Sequence, residues 1–216
     1  MFNRYEACEI ADAAIQMPSE VIGANVQSST IGELILRLED FSDLSKNEMA
    51  KYPWAKRFVM GYPLPEWQRP VVWTKDQNVK FITSIWSGVD IGSYLVNDVW
   101  DFIDANPKNG DFRFREFSDV LLDGQQRLTA IQSYLMGGFS VPDATGVERY
   151  WSELPKLERR RFSAIKFTKA YIRTWDEDKL RLAYDLRSFG GTAHAEEQRA
   201  TKIYHPNDQD KWMMGL

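Results

Sequence analysis

The sequence LLDGQQRLTAI, residues 121–131, joins a short apolar run to a helix-like pattern through five residues that are polar or glycine. The apolar run, Val120 to Leu122, predicts a buried strand, and Leu128, Ile131 and Leu135 recur at the spacing of one helix face. A buried strand needs a sheet, and an amphipathic helix needs a core on which to pack. The segment therefore predicts a domain that contains both a sheet and helices.

Local structure explains only some of the polar residues in this turn. Asp123 is the predicted N-cap of the helix, and Gln126 at the third helical position would complete a variant of the capping box. Gly124 suits a tight turn. Gln125 and Arg127 have no such local reason, so they indicate that the turn does more than begin a helix.

A strand that runs into a helix N-terminus also concentrates free N–H groups and the positive end of the helix dipole, and phosphates bind at such ends. Arg127 adds a bidentate donor there. Upstream, YPLPEWQRPVVW carries Gln68 and Arg69 in a stretch that its prolines keep extended. That stretch alone is equally typical of an edge strand whose tryptophans pack on the core. Taken together, two Gln-Arg pairs in turn-like contexts predict a convergent anion site.

Capping boxes mark three further helix starts, each with a threonine and a Glu or Gln three residues later. They are Thr30 with Glu33, Thr74 with Gln77, and Thr174 with Glu177. Strands are predicted at residues 93–96, 118–122 and 164–172, where β-branched and aromatic residues recur. Helices and strands are interspersed, so the predicted fold class is α+β.

Length and composition are those of one domain with its own core, since 44% of the 216 residues are hydrophobic. The single cysteine excludes an internal disulfide framework, and there is no Cys/His cluster that would suggest a structural zinc site. The N-terminus is too acidic for a signal peptide, and no run approaches the ~20 apolar residues of a membrane span. We therefore expect a cytoplasmic protein without a membrane partner.

Charge is unevenly distributed along the chain. The formal net charge is -4, yet seven basic residues and one acidic residue lie between Lys156 and Arg173. This segment is typical of a solvated helix followed by a surface strand. Because Lys166 and Lys169 alternate with Phe167 and Tyr171, it is also compatible with a patch that contacts the phosphates of DNA.

Four segments resemble one known family. LPEWQRPVVW, SIWSG and LLDGQQRLTAI are similar to the N-terminal domain of GmrSD-type modification-dependent restriction systems, whose hallmark is Asp-Gly-Gln-Gln-Arg. YDLRSFGGTAH, residues 184–194, resembles the family's Asn-Phe-Gly-Gly-Thr-Pro-His segment, with Ser188 in place of Asn and Ala193 in place of Pro. The resemblance covers about residues 30–200.

The resemblance implies a ParB/sulfiredoxin-like fold, in which a small mixed sheet is flanked by helices and followed by a helical C-terminal part. We predict an N-terminal extension over residues 1–29, this domain over residues 30–204, and a C-terminal tail over residues 205–216. The family's motif residues imply a pocket for a nucleoside triphosphate with Mg²⁺, formed by Asp123, Gly124, Gln125, Gln126 and Arg127 and faced by Gln68 and Arg69.

Side-chain chemistry suggests a role for each residue, because phosphoryl transfer depends mainly on positioning and charge stabilisation. Arg127 and Arg69 would neutralise phosphate oxygens, and Gln125 or Gln126 would orient the attacking water. Asp123 would hold magnesium directly or through water.

Two further residues are reserve candidates. Glu66 is a second candidate metal ligand or base, and His194 would reach a phosphate or a base edge. A lone histidine after a turn is more often structural. The sequence contains neither a P-loop nor Gly-X-Ser-X-Gly, so P-loop nucleotide binding and serine hydrolysis are not expected.

Three functional classes follow from these observations. Long members of the family carry a His-rich nuclease domain, whereas this chain has only His194 and His205, so we do not expect it to cut DNA by that chemistry. The first class is an NTPase that regulates a restriction system, with a separate nuclease subunit as partner. The second is a nucleotide or DNA sensor that does not hydrolyse. The third is an interaction protein, encoded by a mobile element, that interferes with restriction.

Overall fold

The structure is a computed structural model that describes residue 20 and residues 22–106 and 111–189 of the chain. Five α-helices and ten strands lie in this part of the protein. The helices are α1 (Ile31–Ser42), α2 (Lys75–Trp86), α3 (Gln125–Leu135), α4 (Lys156–Ser163) and α5 (Glu177–Phe189). The strands are β1 (Asn25–Gln27), β2 (Arg57–Val59), β3 (Tyr62–Leu64), β4 (Ser93–Asn97), β5 (Phe102–Asn106), β6 (Asp111–Phe114), β7 (Val120–Asp123), β8 (Val141–Pro142), β9 (Glu148–Arg149) and β10 (Thr168–Ile172).

A four-stranded sheet forms the centre of the domain, in the order β1-β10-β4-β7. β10 runs parallel to β4, whereas β1 pairs antiparallel with β10 and β7 antiparallel with β4. The remaining strands form three antiparallel hairpins, β2-β3, β5-β6 and β8-β9. β1 lies in the segment predicted as an N-terminal extension and forms one edge of the central sheet.

The central sheet is buried on both faces, because alternate residues of its strands enter two separate clusters. Leu121 faces the larger cluster, which the inner faces of α1, α2, α3 and α4 complete. Val120 and Leu122 face the smaller cluster together with Leu180 and Ala183 of α5. The strand β7 is therefore held between helices on both sides, and its carboxyl end is fixed in position.

Two of the three predicted capping boxes are confirmed. Thr30 caps α1 with Glu33, and Thr74 caps α2 with Gln77. The predicted cap of α5 by Thr174 is wrong, since Asp176 accepts hydrogen bonds from the backbone N–H of Asp178 and Lys179. Thr174 is instead bound through its backbone to the side chain of Asn97, which anchors the end of β10 to β4.

The predicted α+β class with a small mixed sheet and a C-terminal helix is confirmed. The ParB/sulfiredoxin-like assignment and the domain boundaries stay predictions. Over the described ranges, no helix combines the length and the apolar character needed to cross a membrane.

Candidate functional site

The Asp-Gly-Gln-Gln-Arg turn connects the end of β7 to the start of α3. Gly124 occupies the N-cap position with a φ of 99°, in the left-handed region that favours glycine. A Cβ added to Gly124 would lie 2.7 Å from the Cβ of Tyr94, so the turn packs directly on β4. This position therefore requires glycine for two independent reasons.

The prediction that Asp123 caps α3 is wrong. Asp123 is still paired with Leu95 in the sheet, so Gly124 takes the cap position and no side chain bonds the first turn. The Asp123 carboxylate instead accepts hydrogen bonds from Arg127 at 3.2 Å and from Nε of Arg187 at 2.8 Å. As a result, the first N–H groups of α3 have no intrahelical or side-chain acceptor in the described part of the chain.

A cavity of about 120 Å³ lies at this helix end. It is lined by both Gln-Arg pairs, by the rest of the turn and by two aromatic residues: Gln68, Arg69, Trp73, Asp123, Gly124, Gln125, Gln126, Arg127 and Tyr184. The structure thus brings Arg69 and Arg127 to one cavity. We refer to it as the phosphate pocket, after the ligand that the sequence predicts for it.

Gln126 fixes the wall that carries Arg69. Its Oε1 accepts hydrogen bonds from the backbone N–H of Val72 at 3.0 Å and of Trp73 at 3.1 Å, and its Nε2 donates to the carbonyl of Pro70 at 3.2 Å. Since the amide is engaged at both ends, Gln126 is a positioning residue. Of the two glutamines predicted to orient water, Gln125 is the one whose amide remains available.

Replacing Gln126 with leucine is expected to release this wall. The variant removes acceptors for two backbone N–H groups, and we expect about 1–3 kcal/mol of destabilisation together with faster hydrogen exchange at Val72 and Trp73. Gln132→Leu is the matched control, because Gln132 lies on the same helix and its Oε1 accepts from the N–H of Met60. It should accelerate exchange at Met60 instead. Unchanged exchange at Val72 and Trp73 in Gln126→Leu would contradict this role.

Gln68 and Gln125 carry buried amide oxygens without a donor in the described part of the chain. Gln68 is 4% exposed and Gln125 is 5% exposed, and Oε1 of each has no hydrogen-bond partner. An unpaired buried acceptor costs about 1–3 kcal/mol. Both side chains line the phosphate pocket, so a ligand that enters it would come close to these unpaired acceptors.

The arginines of the pocket differ in how fully they are engaged. Arg127 donates to the carbonyls of Ile91 at 2.8 Å and Ser93 at 2.9 Å as well as to Asp123. Burial, with a smaller contribution from Arg187, lowers the pKa of the Arg127 guanidinium, and Asp123 opposes this shift. Arg69 is exposed, and no carboxylate of the described residues pairs with it.

Arg187 is a third arginine at this site that sequence reasoning missed. It lies on α5 and bonds Asp123, the carbonyl of Ser93 at 2.6 Å and the hydroxyl of Ser93 at 2.6 Å. Its position inside YDLRSFGGTAH was the available signal, since that segment resembles a family motif. The three guanidinium groups of Arg69, Arg127 and Arg187 carry more positive charge than the carboxylate of Asp123 can neutralise.

The reserve candidates lie apart from the pocket or cannot be placed. Glu66 is ion-paired with Lys56 on the surface and does not line the phosphate pocket. His194 lies outside the described residues. In the described part of the chain, no cluster of three or more His, Cys, Asp or Glu residues could hold a metal by itself.

The basic segment is largely bound within the protein. Lys169 and Arg173 both pair with Asp98, and Arg161 pairs with Glu158. Phe167 is 0% exposed and belongs to the core, so it cannot stack on a base. β10 is thus an inner strand, paired with β1 and β4, and Phe167 does not support the phosphate-facing interpretation.

Comparison with known proteins gives a match to a protein family. The sequence model of the family described as GmrSD restriction endonuclease, N-terminal domain, matches residues 45–211, which is more than half of the chain. No curated protein and no solved structure matches.

Proposed function

Since the chain belongs to the GmrSD restriction endonuclease N-terminal domain family, we propose that it binds a nucleoside triphosphate with Mg²⁺ and hydrolyses it. Family membership indicates a role in a restriction system. In that setting the chain would act as a regulatory or sensor component, with a separate nuclease subunit as partner. The observation that carries the proposal is the convergence of Arg69, Arg127 and the uncapped N-terminus of α3 on one pocket.

Phosphate binding would rest on groups that lack other partners. The first N–H groups of α3 point out of the helix end, and the helix dipole favours an anion there. Arg69 is exposed and unpaired among the described residues, so it can close over a phosphate without losing an existing ion pair. Arg127 keeps Nε and one N–H of its Nη1 available, although its other contacts fix the plane of the guanidinium.

Hydrolysis would use Gln125 to orient the attacking water. Oε1 of this side chain is buried and has no donor among the described residues, so it would accept a hydrogen bond from a water that enters beside the terminal phosphate. The glutamine does not need to be a strong base, because positioning and charge neutralisation supply most of the rate enhancement in phosphoryl transfer.

Asp123 would contribute the protein's oxygen ligand for Mg²⁺. The hydrogen bonds from Arg127 and Arg187 both reach Oδ2, which leaves Oδ1 without a donor among the described residues. Mg²⁺ commonly takes one or two carboxylates together with water and substrate phosphates. When bound, the ion would neutralise charge on the phosphate oxygens. Glu66 is less suitable because it does not line the phosphate pocket.

Removal of the Arg69 side chain tests nucleotide binding. Titration of the purified protein with each of the four NTPs and Mg²⁺ should show binding by the wild type, with Arg69→Ala about 10- to 100-fold weaker, as expected for a charge-assisted hydrogen bond worth about 1.5–3 kcal/mol. Arg160→Ala is the matched control, since Arg160 is an exposed arginine on α4 outside the pocket. Equal affinities of Arg69→Ala and the wild type, or no binding of any NTP, would overturn the proposal.

Replacement of Gln125 separates hydrolysis from binding. Gln125→Ala should bind the nucleotide but lose at least about tenfold in turnover, which corresponds to about 1.4 kcal/mol of transition-state stabilisation. Phosphate release under saturating NTP is the measurement. Binding without turnover in the wild type would instead support a nucleotide sensor that does not hydrolyse.

A further inference from the structure

A second and larger cavity adjoins the phosphate pocket. It measures about 610 Å³ and shares Gln125 with that pocket, while Pro70 and Val71 of its wall directly follow Gln68 and Arg69. One side is a face of α3 that includes Thr129 and Ser133, and the other side is the β2-β3 hairpin with Val59 and Leu64. We refer to this cavity as the α3 groove.

The sizes of the two cavities indicate how a nucleotide would be divided between them. Sites for small molecules typically enclose about 300–1,000 Å³. The phosphate pocket, at about 120 Å³, is below this range, whereas the α3 groove lies within it. A ligand with its phosphates at the helix end would therefore need space beyond Gln125 for its remaining part.

The lining of the α3 groove favours a flat and uncharged group. Its walls are mainly apolar, and the hydroxyls of Thr129 and Ser133 have no hydrogen-bond partner among the described residues. The one arginine of the lining, Arg57, donates to the carbonyls of Pro65 and Gln68 and so braces the hairpin. The lining offers few charged groups to a charged ligand, whereas a ring with a few polar atoms would fit its mainly apolar walls.

We propose that the α3 groove binds the nucleobase and ribose of the nucleoside triphosphate, an inference that rests on the proposed function. Base recognition is then weak, because Gln132 already accepts from Met60 and Gln125 is assigned to the phosphate end, so only the hydroxyls of Thr129 and Ser133 remain to contact a base edge. The dissociation constants of the four NTPs should lie within about tenfold of each other.

The test compares NTPs with inorganic triphosphate, both in the presence of Mg²⁺. Wild-type protein should bind each NTP at least about tenfold more tightly than inorganic triphosphate, because burial of the base adds apolar contact area. Thr129→Trp fills the groove and should lower the affinity for NTP to that for triphosphate, while the affinity for triphosphate stays within about twofold of the wild type.

A second variant and a control complete the experiment. Val71→Trp fills the groove from the opposite wall at a position that is 44% exposed, so it can be used even if Thr129→Trp fails to fold. Leu36→Trp places the same side chain on α1, which lines neither cavity, and should leave both affinities unchanged. The inference is overturned if both groove variants keep the wild-type ratio between NTP and triphosphate. Failure of the wild type to bind either ligand overturns the proposed function and this inference with it.

Discussion

Gly124→Ala is expected to destabilise the domain by several kcal/mol. A left-handed backbone costs a residue with a Cβ roughly 1–2 kcal/mol. The added Cβ would also lie 2.7 Å from Cβ and 3.2 Å from Cα of Tyr94, and overpacking of this kind costs about 1–3 kcal/mol. Tyr94 cannot move aside easily, since it is 2% exposed and its ring packs against Tyr62 and Phe167. Urea unfolding monitored by tryptophan fluorescence measures the loss.

Gly137→Ala is the matched control for this variant. Gly137 follows the other end of α3 with a φ of 76°, and a Cβ there would meet no atom within 4 Å. It should therefore lose only the backbone contribution, roughly 1–2 kcal/mol. Equal losses in the two variants would show that the contact with Tyr94 adds nothing. A larger loss for Gly124→Ala would establish that the turn is held against β4 by close packing.

The sequence predicted correctly those features that depend on residues close together in the chain. The capping boxes at Thr30 and Thr74 are local, and so is the strand-turn-helix unit around Gly124. It failed at Thr174, because Asp176 is an equally competent cap two residues later and the backbone of Thr174 is bound by Asn97. Contacts between residues so far apart in sequence leave no local signal.

At the candidate site, too, local features could be predicted from the sequence and tertiary contacts could not. Two Gln-Arg pairs in turn-like contexts predicted that Arg69 and Arg127 serve one anion site, and the two residues line one cavity. The cap assignment of Asp123 failed because sheet pairing with Leu95 extends the strand through this residue. Arg187 was missed because it reaches the site only when α5 packs on the sheet. The unpaired oxygens of buried glutamines depend on tertiary packing and have no counterpart in the sequence.

A buried ion pair anchors the other end of the strand that carries the motif. Asp119 directly precedes β7 and is 1% exposed, and its carboxylate is bonded by Arg37 of α1. The same guanidinium donates to the carbonyl of Gly61 at 2.8 Å and lies 3.6 Å from the centre of the Tyr62 ring. The pair thus ties α1, the β2-β3 turn and the start of β7 together.

Arg37→Met is therefore expected to cost about 3–5 kcal/mol at neutral pH, because it leaves a buried carboxylate without its cation. Methionine keeps much of the apolar stem and its contact with Tyr62. The decrease in the free energy of unfolding therefore comes mainly from the missing positive charge. Arg37→Met combined with Asp119→Asn removes the unpaired charge as well. We expect the double variant to be more stable than Arg37→Met, and unfolding in urea at pH 7.5 gives the comparison.

The pH dependence of Arg37→Met follows from the environment of Asp119. Burial raises the pKa of Asp119 to about 6, against the opposing effect of Arg37, so removal of Arg37 raises this pKa further. In the unfolded chain the pKa of an aspartate is about 3.9. A carboxyl whose pKa is higher in the folded state destabilises the fold as pH rises from the unfolded value through the folded one, because ionisation is easier in the unfolded chain.

Arg37→Met should therefore lose less stability, relative to the wild type, at pH 5 than at pH 7.5. The double variant has no carboxyl at position 119, so its own stability should not fall between these pH values through this group. An equal loss at both pH values in Arg37→Met would contradict the role assigned to the pair.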